Sequence, residues 1–395
     1  MPKGLDIRKI LFLGNIFRCT NSKKRGVFIS NQRGNIAWLF NIIYPIINSL
    51  YNCDVGIFKE DSGFVENLYR SYGLNPSRSG FAKLINSEPN DILLDFIKEK
   101  FGRSLIIGFE LPYILCRALD LSGIPFLDLA IGPTRFMPDL SLLARSNIQD
   151  IRNVLFSYMV DDDYKKVCAG RVMSFMAKRG SPRIKVGSAL FVGQVHDDTS
   201  LISNGDYLSF NSYINDIASL IDDIEYVYYK PHPYASSWNV FSDLRLLAEA
   251  KQSWNGVYLC NYNIYRLLSS EEVGMVVSLT SSVSKESIYF GKKGICLAKY
   301  PFAVVDSVAE NFESYTEIYN SILRRDFWLD VLKVFGFKGV GLKSGGYDAD
   351  INYHSILRVT LGSDWGMDFG LYPRSAKKVN LLEFSLNLRA LFWLG

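Results

Sequence analysis

The chain is short of histidine, of net charge and of clustered cysteine, and each shortage removes a class of function. Three histidines in 395 residues, with no grouping of His, Cys and Glu, leave no sequence signature of a metal centre. Lys plus Arg number 44 against 40 Asp plus Glu, a balance of +4. That is too weak for a nucleic-acid footprint, and no basic stripe interleaved with aromatics appears. The six cysteines (19, 53, 116, 168, 260 and 296) lack C-x-x-C spacing, which excludes a zinc or redox motif and a disulfide scaffold. They read as reduced thiols of a cytosolic protein. No Gly-rich loop of the dinucleotide or P-loop type precedes a helix, which argues against oxidoreductase and ATPase chemistry. There is no internal repeat and no low-complexity tract.

Long apolar runs are also missing. The N-terminal "MPKGLDIRKILFLGNIF" has only a short apolar stretch and no small-residue cleavage site, so it reads as a first strand and not a signal peptide. The longest run, "IAWLFNIIYPIINSLYN", is broken by Asn41, Pro45 and Asn48, which argues against a membrane span. The C-terminal "PRSAKKVNLLEFSLNLRALFWLG" sets Lys377 and Lys378 before a segment rich in Leu, Phe and Trp. Two readings stand: a terminal helix packing on its own protein, or a peripheral contact with a membrane surface.

What the chain does have is apolar content, 48% hydrophobic and 14% aromatic, enough for two cores. Strand-length runs alternate with helix-length segments, the pattern of parallel sheets covered by helices. Strands are expected at "KILFLGNIF", "SLIIGFE" (104–110) and "PFLDLAI" (125–131), then at "ALFVGQ" (189–194), "YVYYK" (226–230), "VYLC" (257–260), "MVVSL" (275–279) and "GICLA" (294–298). The Gly-, Pro- and Lys/Arg-rich "AKRGSPRIKVG" (177–187) is the candidate linker. The expected organisation is a Rossmann-like domain over 1–182, a second over 183–360, and a C-terminal segment over 361–395. Two such domains would face a central cleft, with ligands beyond the carboxyl ends of the strands.

Three strand ends carry unusual polar residues. After "ALFVGQ" comes "VHDDTS", bringing Gln194, His196, Asp197, Asp198, Thr199 and Ser200 together. Adjacent carboxylates there suit a nucleophile, a general base or a metal ligand, while Asp-Asp-Thr-Ser equally suits capping of a helix start. The second strand runs into Lys230-Pro231-His232-Pro233. The prolines stop the strand and restrict the backbone. A plain turn would need only them, whereas Lys230 and His232 can both donate to a phosphate. The third leads to "SLTSSVSKESIYFGKK", where Ser278, Thr280, Ser281, Ser282 and Ser284 crowd a strand-to-helix junction. Hydroxyls and free N–H groups at a helix start favour an anion. Glu286 near the first turn would accept from a ribose or simply favour the helix start. Together the three suggest a nucleotide-activated donor, its phosphate at Lys230, His232 and the serine junction, with Asp197 and Asp198 nearer the reacting carbon.

These segments resemble, in order and spacing, the retaining β-Kdo glycosyltransferases that build capsule linkers or cap O-antigen chains. "FVGQVHDDTS", "YYKPHP" and "SLTSSVSKESIYFGKK" carry the likeness, with "GFELPYILCRALDLSGIPFLDL…PTRFMPDLSLLARSN" in the first half, so it spans roughly residues 104 to 300. The resemblance implies a GT-B fold, a CMP-Kdo donor, no metal or other cofactor, and retention through a covalent glycosyl-enzyme. In its Gln-x-x-x-Asp pattern Gln194 leads and Asp198 is the matching acid, hence the nucleophile, with Asp197 its neighbour. Lys230, His232, Pro233, Thr280, Ser281 and Ser282 would line the phosphate site and Glu286 the ribose. Glu110, Arg135 and Asp139 would contact acceptor or Kdo, Arg135 suiting the sugar carboxylate through its planar guanidinium. The implied partners are the CMP-sugar and a lipid-linked or oligosaccharide acceptor, with no nucleic acid. The implied location is the cytoplasm, reaching the inner face of the membrane if the C-terminal segment binds there.

Two departures refine this expectation. Ser284-Lys285 stands where capsule-linker enzymes tend to have Gly-Phe, and the duplicated module of those enzymes is missing, which favours a single catalytic unit acting as a stand-alone or capping transferase. The rivals are a transferase of the same fold using another CMP-nonulosonate or a CDP-alditol, and a non-catalytic glycan-binding protein. The lack of an aspartate before the serine pair in "SLTSS" argues against the alditol class.

Overall fold

A computed structural model describes residues 7–21, 28–30, 35–59, 62–337 and 355–365. The chain is mixed α/β, with two sheets rich in parallel strands. It divides into two units. Residues up to 164, together with 202–206 and 302–365, form the first; 165–201 and 207–301 form the second.

The first unit is built on a seven-stranded sheet. Strands Asp54–Ile57, Lys9–Leu13, Ser104–Phe109 and Phe126–Ile131 lie side by side and parallel. Ser141–Ser146 then pairs antiparallel to the last of them, and Ser314–Tyr319 antiparallel to Ser141–Ser146. Ser104–Phe109 is buried along its whole length, which is why its sequence is continuously apolar instead of alternating. Asn35–Leu50 is the helix of the long apolar run. It buries Ile36, Leu39, Ile43, Ile47 and Leu50 against the sheet, at the three- and four-residue spacing of a core-facing stripe. No helix among the described residues is long and apolar enough to cross a membrane.

The second unit has five strands, all parallel, in the spatial order Val257–Leu259, Val227–Lys230, Ser188–Val192, Val273–Ser278, Lys293–Cys296. In chain order this is 3-2-1-4-5. The winding therefore reverses between Ser188–Val192 and Val273–Ser278, the place where an open parallel sheet offers a crevice for a ligand. Val192 is in register with Lys230 on one side and Ser278 on the other, so the three central strands end level. Neighbouring strands are about 4.8 Å apart, which brings all three loops within reach of one small molecule.

The sequence expectation differs from this layout in three places. The second domain was expected to run to residue 360, but the chain returns to the first unit at 302, because Ser314–Tyr319 completes its hydrogen bonds on Ser141–Ser146. The break between units falls after Tyr164, ahead of the candidate linker at 177–187. Arg266 ties that linker down within the second unit, donating to the Gly180 and Ser181 carbonyls at 3.0 and 3.2 Å. Of the expected C-terminal segment, 361–365 completes the helix Ile356–Trp365, which packs Leu357 and Leu361 into the first unit. The remainder, with Lys377 and Lys378, lies outside the described residues.

Candidate functional site

Gln194 stitches the loop leaving Ser188–Val192 to the loop leaving Val273–Ser278. Its amide oxygen accepts from the Thr280 N–H at 2.9 Å, and its amide nitrogen donates to Thr280 Oγ1 at 3.0 Å and Ser200 Oγ at 3.3 Å. Gln194 therefore builds the crevice instead of lining it. Gly193 precedes it at a point of close approach: a Cβ there would lie 2.2 Å from the hydroxyl of buried Tyr229, so only glycine fits. The Gly193 N–H donates to the Lys230 carbonyl at 2.9 Å, fixing the level of the two strand ends.

Asp197 and Asp198 are exposed. Asp198 Oδ1 accepts from the Ser200 N–H at 2.9 Å, so it opens the short 3-10 turn Thr199–Leu201. This is the capping geometry that the sequence also allows. It occupies one carboxylate oxygen. Among the described residues nothing hydrogen-bonds to Oδ2.

Lys230 ends the second strand half-buried. Among the described residues its ammonium makes no hydrogen bond and no ion pair, and burial lowers its pKa from the ordinary lysine value, only partly offset by the Cys260 thiol. A cation drawn out of water without a counter-charge is an unfavourable arrangement that an anion would relieve. His232 follows in the turn. Its Nδ1 accepts from the Tyr234 N–H at 3.2 Å, which puts the proton of the neutral ring on Nε2 and makes that atom a donor. Pro231 and Pro233 hold this turn, which is closed by the Ala235 N–H on the His232 carbonyl at 2.9 Å.

The serine junction is arranged differently from the expectation. Ser281 is half-buried and its hydroxyl caps the helix Ser282–Glu286, accepting from Val283 N–H. Ser278 and Ser284 hydroxyls bond to each other at 2.8 Å. Thr280, Ser282 and Glu286 are buried. The Glu286 carboxylate accepts from the Tyr265 hydroxyl at 2.9 Å and the Ser282 hydroxyl at 3.3 Å, at the last position of its helix and not the first turn. Neither expected role of Glu286, ribose contact or helix-start charge, matches that placement. Thr280 and Ser282 likewise serve the loop's own bonding, because buried hydroxyls must find partners.

In the first unit, Glu110 stands at the carboxyl end of Ser104–Phe109 with φ at 51°, a left-handed conformation uncommon outside glycine. The next residue is pinned: the Leu111 N–H donates to buried Asp128 at 3.0 Å and its carbonyl accepts from Arg145 at 2.7 Å, while Arg145 pairs with Asp128 at 2.9 Å. Arg135 is exposed on a loop whose backbone is clamped by Arg358, which donates to the Arg135 and Met137 carbonyls, each at 2.9 Å. Asp139 is a correction. It is fully buried, and its carboxylate accepts from the backbone N–H groups of Leu140, Leu357 and Arg358 at 2.8, 3.1 and 2.8 Å. It caps the helix Ile356–Trp365 and presents nothing to a ligand. Burial raises its pKa, and those N–H groups offset the rise only in part.

One neighbour of the site escaped the sequence reading. Asp243, buried in the helix Ser237–Ala250, accepts from the Tyr229 hydroxyl at 2.6 Å on one oxygen and faces His196 Nε2 at 3.4 Å with the other. In sequence it is one polar residue in an amphipathic helix, which normally marks the solvent face.

No family profile and no curated protein sequence matches the chain. Among solved structures it is similar to Thermosulfurimonas dismutans KpsC, beta Kdo 2,7 transferase, with TM-score 0.33 and 18% identity over 54% of this chain and 75% of that one. It is also similar to Thermosulfurimonas dismutans KpsC, beta Kdo 2,4 transferase, with TM-score 0.32 and 16% identity over 50% of this chain and 70% of that one.

Proposed function

We propose that the protein is a glycosyltransferase of the GT-B kind that moves Kdo, with retention, from CMP-Kdo to a hydroxyl of a bacterial surface glycan. The observation that carries this reading is Lys230: a half-buried cation, unpaired among the described residues, at the end of a central parallel strand, beside the reversal of winding. A nucleotide phosphate supplies the missing counter-charge, and Nε2–H of His232 donates to it. Ser281 is the serine of the junction nearest to the surface for the same anion.

The chemistry follows from which atoms are left available. Asp198 keeps Oδ1 on Ser200 N–H, so Oδ2 is the oxygen that attacks the anomeric carbon. The bond from that carbon to the CMP phosphate breaks, and the electron pair leaves with CMP, stabilised by Lys230 and His232. An acceptor hydroxyl then displaces Asp198 from the same carbon, and two inversions give retention. Arg135 and Glu110 of the first unit are assigned to acceptor and sugar contacts. The reading places the protein in the cytoplasm, where CMP-sugars are made.

The deciding measurement is CMP release with CMP-Kdo and CMP-sialic acid offered separately, for the wild type and for Asp198→Asn. Release from CMP-Kdo, lost at least ~1,000-fold in a folded Asp198→Asn protein, is the expected result. Release from CMP-sialic acid alone would move the donor to another nonulosonate. Equal release by both proteins would remove Asp198 from the reaction.

A further inference from the structure

We infer that His196, backed by the buried Asp243, is the base that takes the proton of the incoming acceptor hydroxyl; this rests on the glycosyl-transfer reading above. His196 lies on the loop leaving Ser188–Val192, two residues before Asp198. Its side chain is 35% exposed while that of Asp243 is 5% exposed, and Nε2 stands 3.4 Å from Asp243 Oδ1. Apo sites commonly hold such pairs a little long. The other oxygen of Asp243 is taken by the Tyr229 hydroxyl at 2.6 Å. Burial and the Asp243 carboxylate push the Tyr229 phenol well above its usual range, so Tyr229 keeps its proton and donates it to the carboxylate. Asp243 is thereby left with Oδ1 turned to the imidazole. That directs the ring proton to Nε2 and leaves the Nδ1 lone pair as the basic site.

A structural clasp between loop and helix is the plain alternative. The loop has little need of one: Gln194 already ties it to Thr280 and Gly193 ties it to Lys230. A buried carboxylate is also a costly fastener unless something nearby becomes positively charged. Transfer provides that charge. The acceptor O–H gives its proton to Nδ1 as its oxygen bonds to the anomeric carbon. The bond from that carbon to Asp198 breaks with its electron pair returning to the carboxylate, and the new imidazolium is neutralised by Asp243 until the proton passes to solvent.

The test uses the full chain, CMP-Kdo and an acceptor glycan, with His196→Gln and Asp243→Asn. His196→Gln is expected to release about one CMP per enzyme and to accumulate the Asp198 adduct in intact mass, while transfer falls at least ~100-fold. Transfer within about threefold of wild type overturns the assignment. Asp243→Asn is expected to lower kcat for transfer about tenfold or more with donor KM unchanged; a rise in donor KM with kcat intact overturns the pairing. Side-chain 15N spectra supply a readout independent of turnover: a neutral His196 ring protonated on Nε2 supports the pair, and protonation on Nδ1 overturns it. A wild type that releases no CMP from any CMP-sugar overturns the transfer reading and this role with it, an outcome distinct from an active wild type beside an unimpaired His196→Gln.

Discussion

At the scale of single residues, the candidate site combines one cation that has no partner among the described residues with several groups that have them. Lys230 is held in the fold against its own preference. Its pKa is lowered by burial, so the folded chain binds fewer protons than the unfolded chain between the folded-state value and the ordinary ~10.4. Stability therefore rises with pH across that window, and at neutral pH the charged lysine opposes folding. Lys230→Met, which keeps the length and removes the charge, is expected to melt at a higher temperature than wild type at pH 7, the margin shrinking toward about pH 10. CMP should raise the melting point of wild type by mass action and leave that of Lys230→Met unmoved. Calorimetry with and without CMP checks both. A variant that melts lower and still responds to CMP would mean that the lysine serves the fold and not the ligand. The place of Lys230 and His232 at a strand end and the turn after it was legible in the sequence, because prolines on both sides of a histidine have no purpose in a buried strand.

At the scale of elements, the sequence located the strand ends and misjudged what some of their polar residues do. The second-unit strands fall within one or two residues of expectation, since continuous apolar runs bounded by Gly and Pro are read directly from the chain. Burial is not. Asp139, Glu286 and Asp243 look available in one dimension, yet all three are buried with their carboxylates engaged. Apart from Leu140 and Ser282, their partners lie 14 to 219 residues away, and only tertiary contacts reveal such pairings. Asp139 has a consequence of its own. It gives the helix Ile356–Trp365 acceptors for the Leu357 and Arg358 N–H groups, which no intrahelical carbonyl can reach. Asp139→Ala leaves those donors buried and unpaired, at a cost of about 2 kcal/mol or more. The expected result is a melting temperature lower by several degrees, with CMP affinity in the second unit unchanged. A loss of CMP affinity without a loss of stability would return Asp139 to the list of ligand contacts.

At the scale of the whole molecule, the feature furthest from the sequence reading is the return of the chain to its first unit. "SYTEIY" has no strict alternation and is buried on both faces at its centre, and nothing local says that its partner is Ser141–Ser146 and not the second-unit sheet that precedes it in the chain. The returning segment brings more than an edge strand. Ile318, Ile322, Phe327, Trp328, Val331 and Leu332 are buried in the core that also holds Ile10, Leu105 and Leu127. At about 1.5–3 kcal/mol for each fully buried side chain, these six contribute roughly 10–20 kcal/mol. That matches or exceeds the entire ~5–15 kcal/mol by which ordinary domains stay folded. The two units are thus not consecutive beads. A chain ended after Pro301 keeps every strand of the second unit but leaves the first without part of its core, and it is expected to be insoluble or protease-sensitive throughout the first 164 residues. Supplying residues 302–395 as a separate chain in the same cell should restore a protected first unit, because the missing side chains and the Ser314–Tyr319 pairing return together. Limited proteolysis followed by mass spectrometry reads the outcome. A stable, protected first unit in the shortened chain would show that residues beyond 301 decorate this core instead of completing it.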